Sequence, residues 1–331
     1  MNGDALRRVS SLAWLALPLA AGATATSRPA LALSIELKDV APDRIERQRA
    51  AEAGRLPLPG TPDMAYLQER LAGQGLKSGS PVLMRLFKAE QQLEIWIEKE
   101  NSYVLFASYP ICNWSGTLGP KLREGDRQTP EGFYTITSRQ LQRFGRWPRA
   151  LNLGYPNSFD RAHDRTGSYI LMHGGCSSVG CVAMTNPVIA EIYGLVAAAM
   201  RGGNRYVPVH VFPFRMTEEN LSARKSSEWQ SFWLDLKEGY ESFERTHRPP
   251  RISMCEGRYR IEDASVEEAS KPKDAESSHK KGRRYSAAGS IREACPEPLV
   301  TASESRPELA AEHMSRLGGP LPSASAPPSG R

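Results

Sequence analysis

The residues with most chemical capacity in this 331-residue chain crowd into one stretch, YILMHGGCSSVGCVAMTNP, from Tyr169 to Pro187. His173, Cys176 and Cys181 fall close together there, among glycines and serines. Three chemistries fit those residue types. A zinc site would use the imidazole and both sulfurs, with His163 upstream, but structural zinc sites draw paired ligands from two separated knuckles and only one cluster exists here. His163 itself sits in a polar turn, DRAHDRTG. A Cys176–Cys181 disulfide is possible at this spacing, yet a simple staple gives no use to Gly174, Gly175 and Gly180. The third chemistry is nucleophilic catalysis, in which a thiolate attacks a carbonyl carbon and a nearby base raises the thiolate fraction. Backbone N–H groups around Val179, Gly180 and Cys181 could then hold an oxyanion.

The surrounding pattern supplies the elements that would position these groups. From Val82 the apolar period is two: VLMRLF and LEIWIE read as strands, the latter with Leu93, Ile95 and Ile97 on one face. SYVLFASYPI (102–111), FYTIT (133–137), SYILMH (168–173) and YVPVHVF (206–212) are further strands. GTLGPKLREGDRQTPEG is rich in turn formers and reads as a long loop. Helices are expected from Thr61-Pro62 to Gly73, from Asn186-Pro187 to Gly202, and from about Ser227, where Trp229, Phe232, Trp233, Leu236, Tyr240 and Phe243 form an apolar stripe suited to core packing. The fold is therefore expected to be β-rich with flanking helices.

Composition sets the boundaries. Apolar residues make up 40% of the chain, enough for a packed core, and the net charge of +6 comes without a basic stripe interleaved with aromatics, which argues against nucleic-acid binding. Arg7 and Arg8 precede the apolar run SLAWLALPLAAGATA, too short to span a bilayer and followed by small-x-small sites. Residues 1–32 thus read as a secretory signal peptide, 33–79 as an N-terminal linker and helix, 80–246 as the catalytic domain, and 247–331, dominated by Pro, Ser, Ala and charged residues, as a largely disordered tail. No later segment reads as a transmembrane helix, so the mature chain is expected in the periplasm or cell envelope. In an oxidising compartment five cysteines, an odd number, leave one thiol unpaired. Cys112 reads as a buried thiol, and Cys255 and Cys295 carry no evident chemistry.

HGGCSSVGC followed by AMTN resembles the catalytic motif of the L,D-transpeptidases of the YkuD type, and more closely their YafK-like murein branch. LFKAEQQLEIWIEKENSYVLFASYPICNWSGTLGPKLREGDRQTPEGFYTI and LNLGYPNSFDRAHDRTGSYILMHGGCSSVGCVAMTNPVIAEIY extend the likeness over about residues 80–245. The resemblance implies an L,D-transpeptidase-like β-barrel or sandwich. It implies that Cys181 is the nucleophile and His173 its base, oriented by a backbone carbonyl of Gly174 or Gly175. Gly180 and Ser178 would shape the oxyanion loop. Catalysis would need no cofactor and no metal. The substrate would be peptidoglycan, attacked at an amide carbonyl of diaminopimelate in a stem peptide. An amine would take the acyl group; water as acceptor would instead make an amidase, which could release a wall-linked lipoprotein. A non-catalytic wall-binding module is the third reading. Many members of the family carry His or Arg just before the Gly-Cys pair, where this chain has Val179, and the His-to-Cys spacing here is short. Arg165, Lys121 and Tyr155 are candidates for holding the stem peptide, the two cations through its carboxylates, and Asp126 or Glu131 for an acceptor amine.

Overall fold

The computed structural model describes residues 44–264, 291–293 and 295. The expected signal peptide and most of the expected tail lie outside the described residues. The elements run α1 (Arg44–Glu52), α2 (Leu67–Gly73), β1 (Val82–Phe87), β2 (Gln92–Lys99), β3 (Ser102–Pro110), β4 (Asn113–Trp114), β5 (Gly132–Thr137), β6 (Leu141–Gln142), β7 (Ala150–Asn152), α3 (Ser158–Ala162), β8 (Leu171–His173), β9 (Val182–Ala183), α4 (Asn186–Arg201), β10 (Tyr206–Phe212), α5 (Glu218–Ser222), α6 (Gln230–Thr246), β11 (Arg251–Cys255), β12 (Arg258–Glu262) and β13 (Arg292–Glu293).

Two five-stranded sheets organise the chain. The first has the order β3-β2-β1-β10-β5 and the second β4-β9-β8-β7-β6. Each is antiparallel except for one parallel pair, β1 with β10 and β8 with β9. In β2 Leu93, Ile95 and Ile97 are buried as the alternation predicts and Trp96 and Glu98 are only partly covered, but Glu94 on that second face is buried as well, where it meets Arg85 and Arg215. Helix α4 touches β1 and β10 of the first sheet and β7 and β8 of the second. It buries Val188, Ile189, Ile192, Leu195, Val196 and Ala199, the i, i+3, i+4 stripe that makes a helix amphipathic. One helix thus fixes the two sheets relative to each other.

Two sequence boundaries move. The helix expected from Thr61 begins only at Leu67, behind a left-handed Tyr66 (φ 56°) that interrupts any earlier turn. The body of the protein also does not stop at 246. Residues 251–262, assigned on composition to the tail, form the β11–β12 hairpin, which turns at Glu256 and Gly257, both at positive φ. Its apolar side packs inward: the Tyr259 ring stacks on Phe159 with centroids 3.9 Å apart. Cys255 and Cys295 are joined in a disulfide that fastens a residue of the expected tail to this hairpin.

Candidate active site

Strands β8 and β9 run side by side in parallel, Met172 opposite Val182 and His173 opposite Ala183. Successive side chains on a strand point to opposite faces. With Met172 and Val182 turned one way into the core, His173 and Cys181 share the other face, diagonally across the pair. The His173 ring is almost fully buried, at 2% exposure. Its Nδ1 lies 2.6 Å from the carbonyl oxygen of Gly174. A carbonyl can only accept, so Nδ1 carries the proton and Nε2 is left as the basic nitrogen. Trp147 stacks on the same ring, centroids 4.3 Å apart and planes 29° off parallel. Gly175 permits that approach, since a Cβ there would come within 2.8 Å of the indole.

The two other sulfur chemistries are closed by the cysteine pairing. Cys176 bonds to Cys112, not to Cys181, and Cys255 bonds to Cys295. Cys112 is therefore not the buried free thiol its sequence suggested. Cys181 is the one free cysteine. A zinc site built on His173, Cys176 and Cys181 loses a ligand, because Cys176 has no thiolate to give. Among the described residues no group of three or more His, Cys, Asp or Glu side chains is placed to hold a metal.

The loop before the nucleophile is held by small hydroxyls. Gly180 has φ +106°, open to glycine and costly for other residues. Its N–H donates to Ser115 Oγ at 2.5 Å, and Ser115 Oγ also lies 3.0 Å from Ser178 Oγ. Ser178 Oγ and Thr129 Oγ1 both donate to the Cys181 carbonyl, at 2.6 and 3.2 Å. The Cys181 Sγ accepts from the Leu171 N–H at 3.4 Å. Burial pushes the Cys181 thiol up; that N–H and the Lys121 ammonium act in the opposite sense. Burial pushes the His173 imidazole down, against the pull of the Gly174 carbonyl. Both directions favour the uncharged forms, a thiol at Cys181 and a neutral imidazole at His173, near neutral pH.

Ser115 and Thr129 belong to the long loop of residues 115–131 between β4 and β5, and a buried ion pair fixes that loop. Lys88 Nζ meets Glu131 Oε1 at 2.8 Å with both side chains fully buried. It also donates to the carbonyls of Thr117, Gly119 and Thr129. Glu131 in turn accepts from the Gly119 N–H and the Trp233 indole. Glu131 is thus enclosed and structural, not presented to an acceptor amine.

The other sequence candidates are placed as follows. Lys121 is buried, paired with Asp126, and close enough to influence the Cys181 sulfur. Tyr155 is buried and its hydroxyl donates to the Lys121 carbonyl at 3.0 Å. Arg165 pairs with buried Asp160 at 2.9 Å and packs over Phe159 and Phe232, with no tie to the Cys181 loop. Sequence reasoning passed over Ser115, Thr129 and Trp147. Nothing in the loop sequences marks the first two; Trp147, an aromatic in the arginine-rich run RFGRWPR, was the one visible signal.

The family model of the YkuD L,D-transpeptidase catalytic domain matches residues 85–211, the span from β1 to β10. Two proteins of Escherichia coli, from strain K12 and from O157:H7, both named "Putative L,D-transpeptidase YafK", are 44% identical to the chain over 194 residues, covering 59% of it and 79% of their own length. Among solved structures, the helical cell shape determining protein Pgp2 of Campylobacter jejuni aligns at 18% identity over 56% of this chain and 79% of its own, with a TM-score of 0.32. Bdellovibrio bacteriovorus Bd1075 aligns at 17% identity over 54% and 79%, with a TM-score of 0.30. Both scores are too low to bear on this chain, and the assignment rests on the sequence matches. By those matches the chain belongs to the YkuD-type L,D-transpeptidase family.

Proposed function

We propose that this protein is an exported, cysteine-dependent L,D-transpeptidase that acts on peptidoglycan through a thioester on Cys181. The observation that carries the reading is the Cys181–His173 pair: the one unpaired thiol of the chain shares a sheet face with an imidazole whose Nδ1 is committed to Gly174. Substrate binding expels water and brings the scissile amide against the sulfur. Nε2 of His173 takes the thiol proton as Sγ attacks the carbonyl carbon, at the L-centre of diaminopimelate in a stem peptide. Because the Gly180 N–H is already engaged by Ser115, the developing oxyanion is assigned to the flanking N–H groups of Val179 and Cys181. The C–N bond then breaks, the imidazolium returns its proton to the departing amine, and a thioester remains. An acceptor amine repeats the steps in reverse, giving its proton to Nε2 and releasing the thiol. Gly180 and Ser178 shape the loop throughout. Lys121, beside the sulfur and supported by Tyr155, favours the thiolate.

Incubation with tetrapeptide-rich muropeptides, followed by mass spectrometry, tests this. A covalent adduct on Cys181 and new crosslinked dimers are expected. Free shortened stems without dimers would move the reading to a hydrolase, and unchanged turnover by Cys181→Ala would refute it.

A further inference from the structure

The loop between β6 and β7 has the sequence RFGRWPR, from Arg143 to Arg149, with three arginines and no acid. It is closed by an Arg149 N–H to Arg143 carbonyl contact at 3.4 Å. All three arginines are exposed, and so is Phe144, at 78%. Elsewhere Arg70, Arg85, Arg165, Arg215, Arg245 and Arg258 each meet a carboxylate. Among the described residues the three loop arginines meet none.

The loop is also placed against the reaction centre. The Arg146 guanidinium carbon lies 5.4 Å from the centroid of Trp147, and that indole stacks 4.3 Å from His173. The guanidinium therefore lies within about 10 Å of the imidazole centroid, a reach of about three extended residues. Arg143 is held similarly, 5.2 Å over the Phe144 ring. Such cation–π seating limits the freedom of the guanidinium fork before a ligand arrives. The other cations expected to receive a carboxylate are committed, Lys121 to Asp126 and Arg165 to Asp160. Val179, at the position where many family members carry a positive side chain, is 72% exposed and brings no charge.

We propose that the Arg143–Arg149 loop, led by Arg146, is the subsite that binds a free carboxylate of the wall peptide next to the catalytic pair. The inference rests on the proposed reaction for its choice of ligand. A carboxylate accepts two parallel N–H bonds from one guanidinium, which a carboxamide cannot match. The subsite therefore selects free-acid stems over amidated ones.

Binding to the Cys181→Ala protein tests this without turnover. Calorimetry would compare a tetrapeptide stem with the same peptide carrying carboxamides, against the intact loop and against Arg143→Gln/Arg146→Gln. These side chains are exposed, so the core is untouched, and a thermal melt confirms the fold. The free acid should bind the intact loop at least tenfold tighter than the double variant, with the amidated peptide indifferent to it. Arg146→Lys should recover part of the affinity, as charge without the fork. Equal loss for both peptides would mean a nonspecific surface and overturn the subsite. Equal binding of the free acid with and without the arginines would overturn it while leaving the reaction standing. No binding of either peptide to the intact loop would overturn both.

Discussion

Cys176 is bonded to Cys112, and the bond enters the catalytic loop three residues after His173 and five before Cys181. The far end, Cys112, directly precedes β4, whose Trp114 pairs with Val182 of β9. The bridge therefore ties the turn between base and nucleophile to the sheet that carries them. Leu58 packs against it, with Ala50 and Ala51 of α1 alongside.

Removing that tie should cost both stability and rate. The two cysteines are 64 residues apart, and closing a loop of that size is worth about 4 kcal/mol in the chain-entropy account. Cys112→Ser/Cys176→Ser should lower unfolding stability in denaturant by that order and reduce turnover more than substrate binding. Thiol titration of the unreduced, unfolded chain should find one reactive group. Five would show that neither bridge forms.

The pH profile of turnover should be broad. His173 must be neutral to accept a proton, and burial has moved it below its ordinary 6.5. The rate kcat/KM should therefore rise with pH through an apparent pKa below 6.5. The alkaline limb belongs to the thiol, displaced above its ordinary 9.0, since losing that proton early leaves no imidazolium to protonate the departing amine. His173→Gln should lose about 10²–10⁴-fold and its acid limb.

Ser115→Ala should act on rate. It removes the acceptor of the Gly180 N–H and the neighbour of Ser178. Loss of one well-placed hydrogen bond, about 1 kcal/mol, corresponds to a fall in kcat of about fivefold to tenfold with KM little changed. A KM effect of that size without a kcat effect would assign Ser115 to substrate binding instead.

Lys88→Met should be among the most destabilising single changes. It leaves Glu131 buried without its counter-charge and frees the carbonyls of Thr117, Gly119 and Thr129 from their shared donor. Breaking a buried pair on one side costs about 3–5 kcal/mol. Chemical unfolding measures it; a loss under about 1 kcal/mol would show that the loop holds itself.

Acid should weaken the fold through His210. Its ring is enclosed by Phe133 and Phe212, and burial, aided by the Arg85 charge, lowers its pKa to about 3. The unfolded imidazole binds a proton near 6.5 while the folded one does not, so between those values the unfolded state holds the extra proton and stability falls as pH falls. By pH 5 the loss is about 2 kcal/mol. His210→Phe should flatten this part of the stability profile, measured between about pH 7 and 5.

Strands were legible from short apolar, β-branched runs bounded by turn formers: β1 and β10 occupy the residues read from the sequence, Val82–Phe87 and Tyr206–Phe212, and β1 is buried along its whole length. The Cys-His pair was legible because its residue types are rare and adjacent in the chain. The β11–β12 hairpin was hidden by its charged outer face; Ile252, Met254, Tyr259 and Ile261 alternate beneath Arg251, Arg258 and Arg260, so bulk composition argued for a tail while the period of two argued for strands. Ser115 and Thr129 lie 66 and 52 residues before Cys181. Their role exists only because Lys88 and Glu131 fold the 115–131 loop onto the catalytic turn, a long-range contact that no local pattern encodes. The helix expected at Thr61 had sound start signals but too little apolar surface before Leu67 to bury.

The Cys255–Cys295 bridge closes a ring in the covalent chain. A protease cutting anywhere between Glu256 and Ala294 would open that ring without releasing a fragment, so the nicked protein would run as one band until a reductant parts it. Only reduction after such a cut would free the downstream piece, leaving Cys255 as a second thiol beside that of Cys181.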